Sequence, residues 1–228
     1  MRIVFKSLLI VASILMAYMC YSSIMTPIEF NEKKAQRDNA VIQRLKDIRK
    51  AQVQYKELHG KYTASFDTLI YFINNEQIPV VMKLGELTDH QLEKGLTDSI
   101  ALKLSTPEEA AKYDIEDLDQ FLANFRRDTS YVSVKKSLFG ENYPGLDSLA
   151  YVPFTNGQKF EMATGEYVTK SNTKIPLFEA KVPYKVYLNG LNNQEIINLV
   201  KQAETLDRYE GLKVGDIYES NNNAGNWE

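Results

Sequence analysis

Two histidines, a single cysteine and one acidic run are the residues of this 228-residue chain that most readily carry chemistry. His59 closes a predicted helix, where a cation favours the negative pole of the backbone dipole. His90 follows Asp89 near a helix start. Cys20 lies inside an uncharged segment, so the rest of the chain has no thiol or disulfide chemistry, and one cysteine identifies no redox compartment. Asp114-Ile115-Glu116-Asp117-Leu118-Asp119 resembles a calcium loop in its acid spacing, but the glycine and distant glutamate of such a loop are missing. No HExxH, CxxC, Walker or GxSxG pattern occurs. Paired carboxylates for glycoside cleavage stay open, because an acidic domain holds many candidate pairs. We assign no catalytic, cofactor-binding or metal-ligating residue and expect no cofactor.

The strongest pattern belongs to an element that positions rather than reacts. Ser7 to Ile24 reads SLLIVASILMAYMCYSSI, eighteen residues without a charge, behind Arg2 and Lys6. A helix rises about 1.5 Å per residue and the hydrocarbon core is about 30 Å thick, so roughly 20 apolar residues span it. Ile3 to Phe5 and Met25 complete that length, and Tyr18 and Tyr21 suit the interface. The apolar core is longer than a signal peptide needs, and no small-residue cleavage site is clear. We expect an uncleaved anchor over residues 1–27, in contact with the lipid bilayer through residues 7–25. A cleaved signal and lipidation at Cys20 are the alternatives. Arg2 and Lys6 lie closer to the span than Lys33, Lys34 and Arg37. That predicts a cytoplasmic N-terminus and an extracytoplasmic C-terminal part.

Residues 28–60 predict one long helix, free of internal glycine and rich in strong helix formers. Gly60 is a candidate for its left-handed cap. Asn31 to Asn39 shows no apolar stripe and predicts a solvent-crossing spacer. From Val41 on, Val41, Leu45, Ile48, Gln52 and Tyr55 follow a 4-3-4-3 spacing. This fits either a short coiled-coil seam or a face packed on the chain's own domain, and we expect the second.

Residues 61–220 read as α+β, helical first and mostly antiparallel sheet later. Phe66 to Asn74 predicts a helix that Ile78 to Leu84 extends. Asp89 to Leu104 and Pro107 to Phe125 read as helical, and Thr106-Pro107-Glu108-Glu109 makes a good start. Strands are predicted at Tyr131–Val134, Ser148–Phe154, Lys159–Ala163, Tyr167–Thr169, Lys174–Ala180, Lys185–Leu188 and Leu212–Tyr218. Thr155-Asn156-Gly157-Gln158 predicts a type I′ hairpin turn, and Ser171-Asn172 another turn. Asn192 to Glu195 caps a helix running to Leu206. Residues 221–228 read as a mobile tail that Trp227 would dock.

Glu29 to Lys61 carries nine Lys/Arg against five Asp/Glu. Once Arg2, Lys6 and the whole-chain −3 are counted, nine excess negative charges remain on Tyr62 to Glu228. An acidic domain argues against nucleic-acid binding. Three functions remain: an envelope scaffold with protein partners, a peptide- or glycan-binding module, and a carboxylate-based hydrolase. Oligomeric state is not legible.

Leu45-Lys46-Asp47-Ile48-Arg49-Lys50-Ala51-Gln52-x-x-Tyr55, behind an apolar helix and followed by His59-Gly60-Lys61-Tyr62 and Phe66-Asp67-Thr68-Leu69, resembles the first third of type II secretion pseudopilins and type IV pilins. The resemblance implies a lollipop-shaped subunit that assembles through its apolar helix. The prepilin processing motif has no counterpart here, and Lys6 stands where the early helical glutamate is expected. The whole chain, with its ending Asn221-Asn222-Asn223-Ala224-Gly225-Asn226-Trp227-Glu228, is also similar to uncharacterised membrane-anchored bacterial envelope proteins. That implies a location and no activity.

Overall fold

The computed structural model describes residues 2–140, 143 and 145–228, with the side chains of Arg2, Ile3, Val4, Val81 and Asp128 excepted. The Arg2 side chain, part of the orientation argument, thus lies outside the described residues. The architecture is α+β. A long N-terminal helix leads into a helical first half, and the C-terminal half holds an antiparallel sheet.

Helix α1 (Arg2–His59) is a single element that runs through Pro27 without a break. The expected boundary at residue 27 therefore falls inside one helix. The structure also divides the expected 61–220 domain. Met1–Ile73 packs with Tyr143–Glu228, and Asn74–Asn142 forms a compact unit of its own.

In the first unit, α1 ends where Gly60 adopts φ +74° and its N–H donates to Lys56 O at 2.8 Å. Only glycine takes that left-handed cap without strain. Helix α2 (Phe66–Asn75) buries Phe66, Leu69, Phe72 and Ile73. Strands β3 (Glu161–Val168), β4 (Lys174–Pro183) and β5 (Gly211–Gly215) make an antiparallel sheet in that order. Helices α8 (Tyr184–Tyr187) and α9 (Asn193–Thr205) lie between β4 and β5 in the chain, and the Asn192 side chain caps α9.

The core of this unit joins the lower half of α1 to one sheet face. Val41, Leu45, Ile48 and Gln52 have no exposed surface, nor do Phe178, Ala180 and Val214, and Val182 is almost as closed. Gln52 Nε2 donates to Thr63 O at 2.6 Å and meets Met162 Sδ at 3.0 Å. Its amide is satisfied on a seam that would otherwise be apolar. The α1 stripe packs on its own domain, the expected one of the two arrangements that the spacing allows.

The second unit contains β1 (Gln77–Leu84) and β2 (Arg126–Ser133), paired antiparallel from Gln77 opposite Ser133 to Leu84 opposite Arg126. Short helices α3 (Asp89–Glu93), α4 (Asp98–Ala101), α5 (Pro107–Ala111) and α6 (Leu118–Asn124) lie between them, and α7 (Val134–Phe139) follows. Thr88, Thr97, Thr106 and Asp117 each cap one of the four. Leu96, Leu104, Ile115 and Phe125 anchor a small core. Arg127 forks onto Asp98 at 3.0 and 3.1 Å and also donates to Leu84 O.

Several local expectations change. Ile78–Leu84 is strand, not helix extension: it is rich in β-branched residues and pairs with partners 42 to 54 residues on, from Val132 back to Arg126. The long helices expected over 89–104 and 107–125 are broken into short capped turns. Ser148–Phe154 forms only a single bridge, Tyr151 with Lys159, beyond a 3-10 turn at Leu146–Ser148. The loop it closes has positive φ at Phe154 and Gly157 but not at Asn156, so it is not a type I′ turn. Lys185–Leu188 lies at the helical turn α8, set off by Pro183. Lys159–Ala163 and Tyr167–Thr169 merge into β3. The 221–228 tail is not free. Gly215 N donates to Ala224 O, Asn226 N donates to Lys213 O, and Glu228 pairs with Arg49 at 2.8 Å.

Candidate functional site

The residues singled out for chemistry fall in different units, His59 and Cys20 in the first, His90 and the acidic run in the second. The His59 ring sits 4.4 Å from that of Tyr55 and 5.7 Å from that of Phe72, so it closes the end of α1 by packing. In the other unit, His90 Nδ1 and Lys94 Nζ share Asp114 Oδ2 at 2.9 and 2.6 Å. The Lys94 hydrogen bond, ahead of the nearby positive charges, holds the Asp114 carboxyl below its ordinary range. Asp117 accepts from Gln120 N as a helix cap. Two members of the acidic run, Asp114 and Asp117, thus serve an exposed ion pair and a cap. Cys20 is exposed on the apolar half of α1. Among the described residues no group of three or more His, Cys, Asp or Glu is arranged to hold a metal ion.

Two constellations come from tertiary structure. The first lies on the sheet. Alternate residues of β4 turn Phe178, Ala180 and Val182 toward the core and leave Glu179 and Lys181 on the opposite face. Gly215 stands opposite Glu179. Its φ is +72°, and a Cβ there would come within 2.2 Å of Phe178 O. Glu179 is nonetheless buried, and two lysine ammoniums flank it. Lys181 Nζ lies 2.7 Å from Oε1, out of line for a hydrogen bond, so that contact is ionic. Lys213 Nζ reaches Oε2 at 3.4 Å and Asp216 Oδ2 at 2.7 Å.

Burial alone would lower the Lys213 ammonium. The hydrogen bond and charge of Asp216, with Glu179 behind, outweigh it and raise its pKa. Burial alone would raise Asp216, but Lys213 and the N–H groups of Tyr218 and Glu219 hold it low. Burial and the charges of Glu161, Glu179 and Glu210 push the Tyr209 phenol up. These shifts hold Lys213 and Asp216 charged and the Tyr209 phenol neutral at pH 7, and each moves its group's titration further from that pH. A cleft of about 600 Å³ opens beside them, with Tyr184, Arg208, Tyr209, Lys213 and Asn226 on its walls.

The second constellation fastens α1 to the domain. Arg37 donates to Tyr187 O and Asn189 O, both at 2.8 Å. Tyr187 OH donates to Asp38 at 2.7 Å across 149 residues of sequence. One turn and more below, Arg44 donates to Gly145 O and Ser148 Oγ, and Tyr143 OH donates to Asp47 at 2.6 Å. Burial first, and then the Asp47 carboxylate, push the Tyr143 phenol up to about 12. Burial and Asp38 push Tyr187 further still. Phe30 is buried, as is Asp47. The stretch expected to cross solvent is therefore docked on the domain from Phe30 on. The sequence hides this because the anchors are Arg, Asp and Tyr, which read as a polar face until their distant partners are known.

Above Phe30, α1 changes character. It is long and apolar enough by length and composition to cross a membrane, and none of its most apolar window is buried in the protein. Leu8, Ile14, Met16 and Met19 are each more than 60% exposed.

No protein-family model, no curated protein and no solved structure matches this chain.

Proposed function

We propose that this is a single-pass, membrane-anchored envelope protein whose extracytoplasmic domain is a scaffold that binds other proteins of a secretion or surface-assembly system. The observation that carries the reading is α1. One uninterrupted helix is bare from Phe5 to Tyr21, with no charge beyond Lys6, and built into a domain core from Val41 to Tyr55. Bare apolar surface of that extent needs an apolar surrounding, and lipid provides it. The polar anchors from Arg37 to Arg49 then hold the domain at a set distance and orientation from the bilayer, which suits a positioning role.

The fixed charges around Glu179 also favour recognition over catalysis. None of the displaced groups near that cleft is brought toward neutral pH. The 600 Å³ cleft favours a second reading, a module that binds a peptide or glycan. Membranes should keep the full-length protein after alkaline washing, and protease added outside the cytoplasmic membrane should remove the domain. Affinity isolation from those membranes should then bring down a defined set of envelope proteins. A soluble mature protein starting near Ser22 would overturn the anchor, and isolation of the chain with a small glycan or peptide alone would favour the second reading.

A further inference from the structure

Sheet edges in this protein are treated differently in the two units. In the first, the tail closes the outer edge of β5: Gly215 N donates to Ala224 O, and Asn226 N donates to Lys213 O. In the second, the ribbon of β1 and β2 has no third strand among the described residues, so each strand keeps one free edge. Val134 N donates to Glu76 O, which makes that pair a hydrogen-bonded one. Hydrogen-bonded and open pairs alternate along an antiparallel ladder. Ile78, Val80, Met82 and Leu84 therefore bond inward to β2, and the odd-numbered residues of both strands turn their N–H and C=O groups outward.

On β1 the outward residues are Gln77, Pro79, Val81 and Lys83. Pro79 has no N–H to offer and Lys83 carries an exposed charge, two usual guards of a free edge. On β2 they are Arg127, Thr129, Tyr131 and Ser133. Arg127 does not guard this edge, because its guanidinium is drawn onto Asp98 and lies 3.9 Å from the Phe125 ring centroid. Ser133 turns into α7 as its cap. The open stretch thus runs from Arg127 to Tyr131, centred on Thr129. Thr129 is exposed, and Tyr131 is 67% exposed.

A row of alternating outward donors and acceptors is matched by another extended strand, and a ribbon of two strands is marginal in water without one. Strand β2 complements itself. Two-fold antiparallel pairing about Thr129 sets Arg127 opposite Tyr131 of the second copy, Thr129 opposite Thr129 and Arg126 opposite Val132. No like charges face each other, and each exposed tyrosine gains a cationic neighbour. The three outward pairs exchange about six hydrogen bonds.

We propose that β2 is a dimer interface. Two copies of the chain join edge to edge across a two-fold axis at Thr129, and the two ribbons become one four-stranded sheet in the order β1-β2-β2-β1.

The test is cross-linking of full-length, membrane-embedded protein carrying Cys20→Ser and one new cysteine. Hydrogen-bonded antiparallel partners have Cα atoms about 5.5 Å apart, inside the disulfide range. Mild oxidation of Thr129→Cys should therefore link most chains into dimers. Tyr131→Cys, about 14 Å from its counterpart by strand rise, should link about tenfold less. Thr129→Pro removes one outward N–H and no bond to β1. It should leave the melting temperature unchanged and turn the detergent-solubilised chain from dimer to monomer in sedimentation. No linking at 129, equal linking at 129 and 131, or a folded Thr129→Pro chain that stays dimeric overturns the proposal. If Thr129→Pro does not fold, the linking pattern decides alone. A monomeric chain whose Thr129→Pro variant loses a co-isolated protein also overturns it, and gives the edge to a strand of that protein.

Discussion

Leu15 and Leu45 sit in the same unbroken helix, yet the first is 56% exposed and the second has no exposed surface. Around Leu15 every neighbour on the helix is apolar, so no single face is marked and no part of the domain covers it. Around Leu45 the apolar residues recur every three or four positions, and Lys46, Arg49 and Lys50 occupy the other faces. The lesson is that helix propensity is common to both halves and decides neither environment. The distribution of apolar residues round the axis decides it.

This contrast can be broken most severely at Ile48. Ile48→Glu puts an unpaired charge into the closed seam and should prevent the domain from folding, read as loss of the cooperative thermal transition. Leu45→Ala removes buried methyl groups and leaves a cavity, with an expected cost of about 2–5 kcal/mol in denaturant unfolding. The counterpart in the upper half is Leu15→Arg. It should add about 3 kcal/mol to membrane insertion while the unfolding midpoint of the domain stays unchanged. If Leu15→Arg destabilises the domain as Leu45→Ala does, the two halves are not separate environments.

Smaller effects sharpen the contrast at the polar anchors. Tyr187→Phe leaves the Asp38 carboxylate without its phenol donor and should cost about 1–3 kcal/mol. Tyr143 gives a pH signature. Its phenol titrates near 10.0 when unfolded and at about 12 when folded. Its contribution is therefore fully present below pH 10 and declines as the pH rises from 10 to 12, where the unfolded chain ionises first. Tyr143→Phe should flatten that part of the stability profile. The smallest effect is expected at the tail. Glu228→Gln should speed amide exchange at Ala224–Asn226 with no change in melting temperature, because the Arg49 pair is partly exposed.

What was legible follows the range of the interactions. The long apolar segment, the α1 stripe, the Gly60 cap, the Thr106 helix start and the Asn192 cap all rest on residues within a turn or two of each other, and all are readable from spacing. Strand β1 was not, because Gln77–Leu84 becomes a strand only by pairing with Arg126–Ser133. The Glu179 charge cluster and its cleft had no local signal at all: Glu179 and Lys213 are 34 residues apart and meet only because β4 and β5 are adjacent. The tail misled for a related reason. Its asparagines read as disorder, yet Asn226, with the Ala224 carbonyl, bonds to β5 and Asn223 bonds to Tyr62.

By itself the sequence determined the apolar segment, the helix that continues it, the seam from Val41 to Tyr55 and the α+β class, since periodicity and capping act over a few residues. Only the tertiary structure decided that the helix docks from Phe30 downward, that residues 74–142 fold as a separate unit, and that fixed charges gather on the outer sheet face. Those features depend on pairings across tens to more than a hundred residues, where chain topology, and not local preference, chooses the partner.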